Sequence, residues 1–123
     1  MEEFLFFSSH PQLFALYESL RALLTARYPE MEIRAAKTQI SFYDRHMFAM
    51  VSLPVRRRKG WPKDFLMVSF GLARQEESPR IAACSQPYPG RFTHHVIVES
   101  EEEFDGELMA WLDEAHAFAL SKR

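Results

Sequence analysis

The stretch from Phe92 to Val98 constrains the fold most strongly, because a strand pattern there runs directly into a helix start. Successive side chains of a strand point to opposite faces, so the adjacent residues His94 and His95 must lie on different sides. His94 shares a face with Phe92, Val96 and Val98, and His95 shares the other face with Thr93 and Ile97. A histidine is therefore expected on each side of one strand.

Two amphipathic segments predict helices over residues 10–27 and 101–120. Ser9 and Gln12 fit a capping box at the start of the first predicted helix. Pro29 predicts its end, because proline disfavours helical backbone in the residue before it. Ser100 and Glu103 fit a second capping box. The second helix carries a stripe of apolar residues at helical spacing, so we expect the central one, Trp111, to be largely buried. The stripe comprises Phe104, Leu108, Trp111, Leu112, Ala115, Phe118 and Ala119.

Strand-like segments fill the chain between the two helices, with turn signals between them. These segments are Met31–Ala35, Thr38–Tyr43, His46–Leu53, Phe65–Leu72, the weaker Arg80–Ser85, and Phe92–Val98. Short connections favour antiparallel pairing, because parallel strands need longer crossovers. The sequence thus predicts a single α+β domain over residues 1–123, with both helices on one face of a mainly antiparallel sheet of about five strands.

The overall charge gives little support to nucleic-acid or membrane binding, since the formal net charge is −2. No apolar run approaches the length of a membrane span. The single cysteine excludes an internal disulfide, and the first residues lack the basic region of a signal peptide. We therefore expect a cytoplasmic protein, and the sequence leaves a homodimer open.

Several short motifs together resemble a known bacterial family. They are Lys37-Thr38-Gln39-Ile40-Ser41-Phe42, Phe48-Ala49, Thr93-His94-His95-Val96, and the segment from Leu108 to Ala115 that contains Trp111-Leu112. In this order they are similar to the family called domain of unknown function 5655. The chain departs from the family pattern at Tyr43-Asp44-Arg45, at His116 and in a longer connection at Arg56–Lys63. The family has no established activity, so the resemblance implies a fold and a functional face rather than a reaction.

One candidate site combines the early and late strands. Lys37, Ser41 and Arg45, with His94 or His95, offer cationic groups and a hydroxyl, which suit a phosphate or carboxylate. The site requires Arg45 to continue the face of Ser41 and requires the two strands to share a cavity. The alternative is structural: His94 is a hydrogen-bonded core residue and His95 an ordinary strand residue.

A second candidate is the basic loop before the fourth apolar segment. Arg56, Arg57, Arg58 and Lys59 precede Trp61, and such a loop could hold a nucleic-acid backbone while the indole stacks on a base. The alternative is a solvated loop whose Trp61 folds back on the sheet.

Catalytic and metal signatures are weak. The five histidines lack a recognised metal-ligand spacing, and neither a nucleophile elbow nor a phosphate loop is present, so we expect no metal and no cofactor. We therefore favour a non-catalytic binding or interaction module for an anionic ligand or nucleic acid. The alternative is a small enzyme that uses His94 or His95 as a general base.

Overall fold

Helices pack on one side of an antiparallel sheet, as the sequence predicts. The computed structural model describes residues 2–53 and 59–122. The elements are α1 (Glu2–Phe6), α2 (Phe14–Arg27), β1 (Glu32–Ala35), β2 (Ile40–Asp44), β3 (His46–Ser52), β4 (Leu66–Leu72), β5 (Ile81–Tyr88), β6 (Arg91–Val98) and α3 (Gly106–Ser121), with 3₁₀ turns at Pro11–Leu13 and Glu101–Glu103. The α+β prediction is confirmed, although the sheet has six strands rather than about five. Within the described ranges, no helix is long and apolar enough to span a bilayer.

The strand order is β1-β2-β3-β4-β6-β5, and every neighbouring pair is antiparallel. β6 therefore lies between β4 and β5, which run in the same direction. Leu72 at the end of β4 pairs with Phe92, whereas Ile81 at the start of β5 pairs with Val96. The connecting residues 73–80 must consequently return along the length of β6.

The core lies between the helices and one face of the sheet. Paired residues point to the same side, so the register places neighbouring rungs of apolar side chains on the helix face. These rungs include Ile40, Phe42, Val51, Val68, Phe70, Val96 and Val98, all buried. Tyr17 of α2 stacks on Phe42, and Trp111 of α3 stacks on Phe70, with ring centroids 6.4 and 5.8 Å apart. Both helices therefore cover the same face.

The helix that we predicted over residues 10–27 is α2, and it begins at Phe14. The predicted capping box of Ser9 and Gln12 is wrong. Ser9 instead hydrogen-bonds the neighbouring ring of His10, and Pro11 opens a 3₁₀ turn that precedes α2. Proline suits this position because it lacks the N–H that the first turn cannot use. The predicted end at Arg27 is confirmed.

The last helix also begins later than predicted, at Gly106. The capping box of Ser100 and Glu103 is present, but it caps the start of a separate 3₁₀ turn, Glu101–Glu103, rather than the start of α3. Asp105 then caps α3, because its carboxylate accepts the backbone N–H of Leu108 at 3.0 Å. The same carboxylate accepts a hydrogen bond from Arg80 at 2.8 Å, which attaches the start of β5 to the helix start.

His94 and Trp111 fasten the crossover 73–80 to the core through Glu76. The buried His94 ring accepts the backbone N–H of Glu76 on Nε2 at 2.9 Å, and its ring stacks on Phe70. Trp111 donates its indole N–H to the Glu76 carboxylate at 3.0 Å. The Arg74 guanidinium also donates two hydrogen bonds to the carboxylate of Glu114 on α3. Both buried aromatic rings thus serve packing and polar anchoring together.

We expect that Trp111→Ala lowers the free energy of unfolding by about 3–5 kcal/mol, the usual cost of deleting a core aromatic. Trp111 is only 6% exposed, which confirms the predicted burial. Trp111→Phe keeps most of the ring and loses the bond to Glu76, so it should cost about 1 kcal/mol plus a small packing loss. Urea denaturation measures both. Leu120→Ala on the exposed side of α3 is the control, and an equal loss in that variant would contradict the assignment of the buried face.

We also expect the fold to lose stability in mild acid because of His94. Burial lowers the pKa of His94 below its ordinary value of 6.5, and the nearby Arg74 charge contributes to the shift. The unfolded chain therefore binds more protons than the folded one between the lowered pKa and about 6.5, where stability must rise with pH. The stability that a neutral His94 permits is fully present above that window and is lost as pH falls through it. The free energy of unfolding changes by at most about 1.4 kcal/mol per pH unit for this one group.

Urea denaturation of wild type and His94→Gln between pH 5 and 8 measures this slope. Glutamine can keep an acceptor for the Glu76 N–H but does not titrate, so the variant should show a flatter dependence. His10→Gln makes the same change outside the core and is the control for the loss of one histidine. Identical slopes in all three proteins would contradict a neutral His94 in the folded state.

Candidate functional site

The register between β4 and β6 separates the two adjacent histidines. His94 pairs with Phe70 on the helix face, and His95 pairs with Ser69 on the opposite face. The prediction that they point to opposite sides is confirmed. His94 lies beneath α3 and is completely buried, so it cannot share a pocket with His95.

A row of residues crosses the sheet on the face that the helices leave uncovered. Ser41 pairs with Met50, Met50 with Ser69, and Ser69 with His95, so these four residues form one rung across the sheet. The Oγ of Ser69 lies 2.7 Å from Nδ1 of His95. Ser41 accepts a hydrogen bond from the Gln39 amide at 2.8 Å. The fold thus brings two predicted site residues, Ser41 and His95, to the same face. Ser41 and Ser69 are nevertheless buried, and His95 is half-buried.

Lys37 and Arg45 lie beyond the opposite ends of β2. Lys37 is in the turn before the strand, and Arg45 is in the turn after it with φ of 69°. Pairing with β3 stops at Asp44 and His46, so Arg45 does not continue the face of Ser41. The five residues of β2 alone span roughly 16 Å. The expected convergence of Lys37, Ser41 and Arg45 is therefore not produced by the fold.

Arg91 supplies a cation that the sequence reasoning missed. It lies on β6 two residues before Thr93, on the side of His95, and its guanidinium extends over Gly71 of β4. Its Nε lies 3.5 Å from the hydroxyl of Thr93. A lone glycine inside an apolar strand is a sequence signal of close approach by another group, and Gly71 carried that signal.

The basic loop is only partly within the described residues. Arg56, Arg57 and Arg58 lie outside them. Lys59 is exposed, and Trp61 is half-buried with its ring edge-on to the buried Phe65 at 5.9 Å. Trp61 thus packs against Phe65.

The other titratable groups have structural surroundings. His116 stacks on Tyr28 at 3.9 Å and contacts the Asp44 carboxylate at 2.7 Å, which ties α3 to the end of β2. Burial raises the pKa of the Cys84 thiol, which disfavours the reactive thiolate. In residues 2–53 and 59–122, no three histidine, cysteine or acidic residues are grouped so that they could hold a metal ion.

The chemistry of the uncovered face suits binding of a polar or anionic group. Hydroxyls, an imidazole and a guanidinium lie on two adjacent strands whose backbones are fixed by the sheet. Ser69 is the second residue of the candidate site that sequence reasoning missed, because only the cross-strand register reveals its contact with His95.

Comparison with known proteins gives one finding. No curated protein and no solved structure matches the chain. A family model described as "Domain of unknown function (DUF5655)" matches residues 4–119, which is nearly the whole chain. The match includes every strand of the sheet and most of both long helices. The chain therefore belongs to the DUF5655 family.

Proposed function

We propose that the domain is a non-catalytic binding module that holds a small anionic ligand on the sheet face opposite the helices. The contact between Ser69 and His95, beside the guanidinium of Arg91, carries this proposal. Ser69 and His95 lie on inner strands and are paired on both sides, whereas Arg91 opens β6 and pairs with Tyr88 of the edge strand β5. The backbone of the hydroxyl–imidazole pair is therefore ordered before a ligand binds, which lowers the entropic cost of recognition.

The charge on this face supports an anion in particular. Arg91 forms no ion pair with a carboxylate among the residues that the structure describes. Arg34, at the far edge of the same face, is instead paired with Glu32 at 3.0 Å. An unneutralised guanidinium next to hydroxyl groups is the usual recognition element for a carboxylate or phosphate. Lys37 and Arg45, both exposed in turns, would add only long-range attraction.

The enzyme alternative also has one observation in its favour. Ser69 and His95 form the hydroxyl and imidazole pair that general-base catalysis requires. However, Ser69 lies inside a central strand that is paired on both sides, so the neighbouring backbone N–H groups serve the strand ladders. Acyl transfer needs such N–H groups as oxyanion donors, and we therefore favour binding over catalysis.

Nucleic acid remains the second candidate ligand, since Lys59 and Trp61 lie together in the basic loop. A net charge of −2 opposes it, because nonspecific nucleic-acid affinity comes mainly from released counterions. A small anion and an oligonucleotide should bind to different surfaces, so one experiment can separate them.

We expect titration with small anions to perturb the NMR amide signals of Ser69, Thr93 and His95 and to spare those of α3. The probes are acetate, inorganic phosphate, adenosine monophosphate and a short oligonucleotide at constant ionic strength. Arg91→Gln should weaken binding about tenfold or more, because it removes a charge-assisted pair. Arg34→Gln changes the net charge equally but removes an already neutralised cation, so it should bind like wild type.

Two results would contradict the proposal. One is the absence of saturable perturbation by any small anion. The other is tight oligonucleotide binding with perturbations centred on Lys59 and Trp61, which would favour the nucleic-acid function instead.

A further inference from the structure

Gly71 is a glycine for reasons of space rather than of backbone conformation. It lies within β4 and, unlike Gly60 and Gly90, does not have a positive φ. A Cβ atom at this position would lie 2.6 Å from Cζ of Arg91 and 2.7 Å from one Nη, far inside van der Waals contact. Because Gly71 has no side chain, the Arg91 guanidinium can occupy the space above it. We call this space above Gly71 the seat of Arg91.

This seat is adjacent to the contact between Ser69 and His95. Gly71 and Ser69 are two residues apart on one strand, so they share a face and their Cα atoms are about 7 Å apart. Gly71 pairs with Thr93, and Ser69 pairs with His95, which places the cation and the hydroxyl–imidazole pair on neighbouring rungs of the sheet. One small molecule can span both.

Partly exposed methionines border the same rungs. Met50 pairs directly with Ser69, and Met67 pairs with Ile97 on the same face. Met50, Met67 and Ile97 are each half-buried and present part of their apolar surface, whereas Ser69 among them is buried. Methionine is flexible and polarizable, and it adapts to ligands of varied shape.

We propose that the seated Arg91, the Ser69–His95 pair and Met50 form one site for a small amphipathic monocarboxylate. The carboxylate binds the guanidinium over Gly71, and the apolar body lies against Met50, which pairs with Ser69 on the next rung. A single guanidinium neutralises one negative charge, which matches a monocarboxylate better than a phosphate dianion. This inference rests on the proposed anion-binding function and adds the location of the charge and the class of ligand.

Gly71→Ala tests the seat with the smallest possible change. The new methyl group must displace the guanidinium, which is the mobile end of a long side chain, so the strand itself can remain intact. Gly106→Ala is the matched control, because a Cβ there meets no atom within 4 Å. Arg91→Gln is a second variant that removes the cation and leaves Gly71 unchanged. Circular dichroism and thermal unfolding verify that each variant is folded.

Affinities for acetate, butyrate, benzoate and inorganic phosphate are measured by NMR titration at pH 8, where imidazole side chains are mostly neutral. Butyrate and benzoate should bind more tightly than acetate or phosphate, because they add apolar contact. Benzoate affinity should fall about tenfold in Gly71→Ala and in Arg91→Gln, the usual loss for one charge-assisted pair, and should be unchanged in Gly106→Ala. The double variant should lose no more than either single one, since both act through the same guanidinium.

The outcomes separate this inference from the proposed function. Wild-type benzoate affinity in Gly71→Ala and in Arg91→Gln would overturn the seat, while perturbations at Ser69 and His95 would still support anion binding on that face. Phosphate binding more tightly than benzoate would overturn the ligand class. The absence of binding by all four probes would overturn both proposals.

Discussion

The pairing register between β4 and β6 is the constraint on which the rest of the structure depends. It sets Phe70 opposite His94 and Ser69 opposite His95. Because strand side chains alternate, a slip of one residue would put the Ser69 hydroxyl beneath α3 and expose the Phe70 ring. The observed register keeps the aromatic pair under Trp111 and the polar pair on the other side. One register thus defines both the core and the candidate binding face.

The position of β6 between β4 and β5 gives His94 its structural role. The crossover 73–80 must return along β6, and the Glu76 N–H within it lies against the buried His94 ring. His94 supplies the acceptor for this N–H, and burying the ring without that bond would leave two polar groups unpaired. The exposed ion pairs of Arg74 should each contribute little, so the buried bond to the imidazole is the firmer attachment. In the segment Thr93-His94-His95-Val96, the first histidine therefore maintains the fold, and the second faces the opposite side of the sheet beside Ser69.

Local sequence patterns predicted most of the elements because those patterns report local physics. Alternation in Phe92–Val98 placed the histidines on opposite sides, and the apolar stripe of the last helix predicted the burial of Trp111. The Ser9 capping box failed because Pro11 starts a 3₁₀ turn, and α1 was missed because a helix of five residues shows too little periodicity. The contacts of Ser69 with His95 and of Arg91 with Gly71 join residues 26 and 20 positions apart. Only the strand order brings such residues together, so the site could not be predicted from local patterns.

The protonation of the two histidine rings tests the register most directly. A long-range proton–nitrogen NMR spectrum, recorded from pH 8 to pH 5 and resolved with His94→Gln, reports which ring nitrogen carries the proton. We predict that His94 carries its proton on Nδ1, because Nε2 accepts the Glu76 N–H, and that the ring stays neutral below its ordinary pKa of 6.5. A His94 ring that is protonated on Nε2, or that titrates like an exposed imidazole, would contradict the register and with it the division between core and binding face.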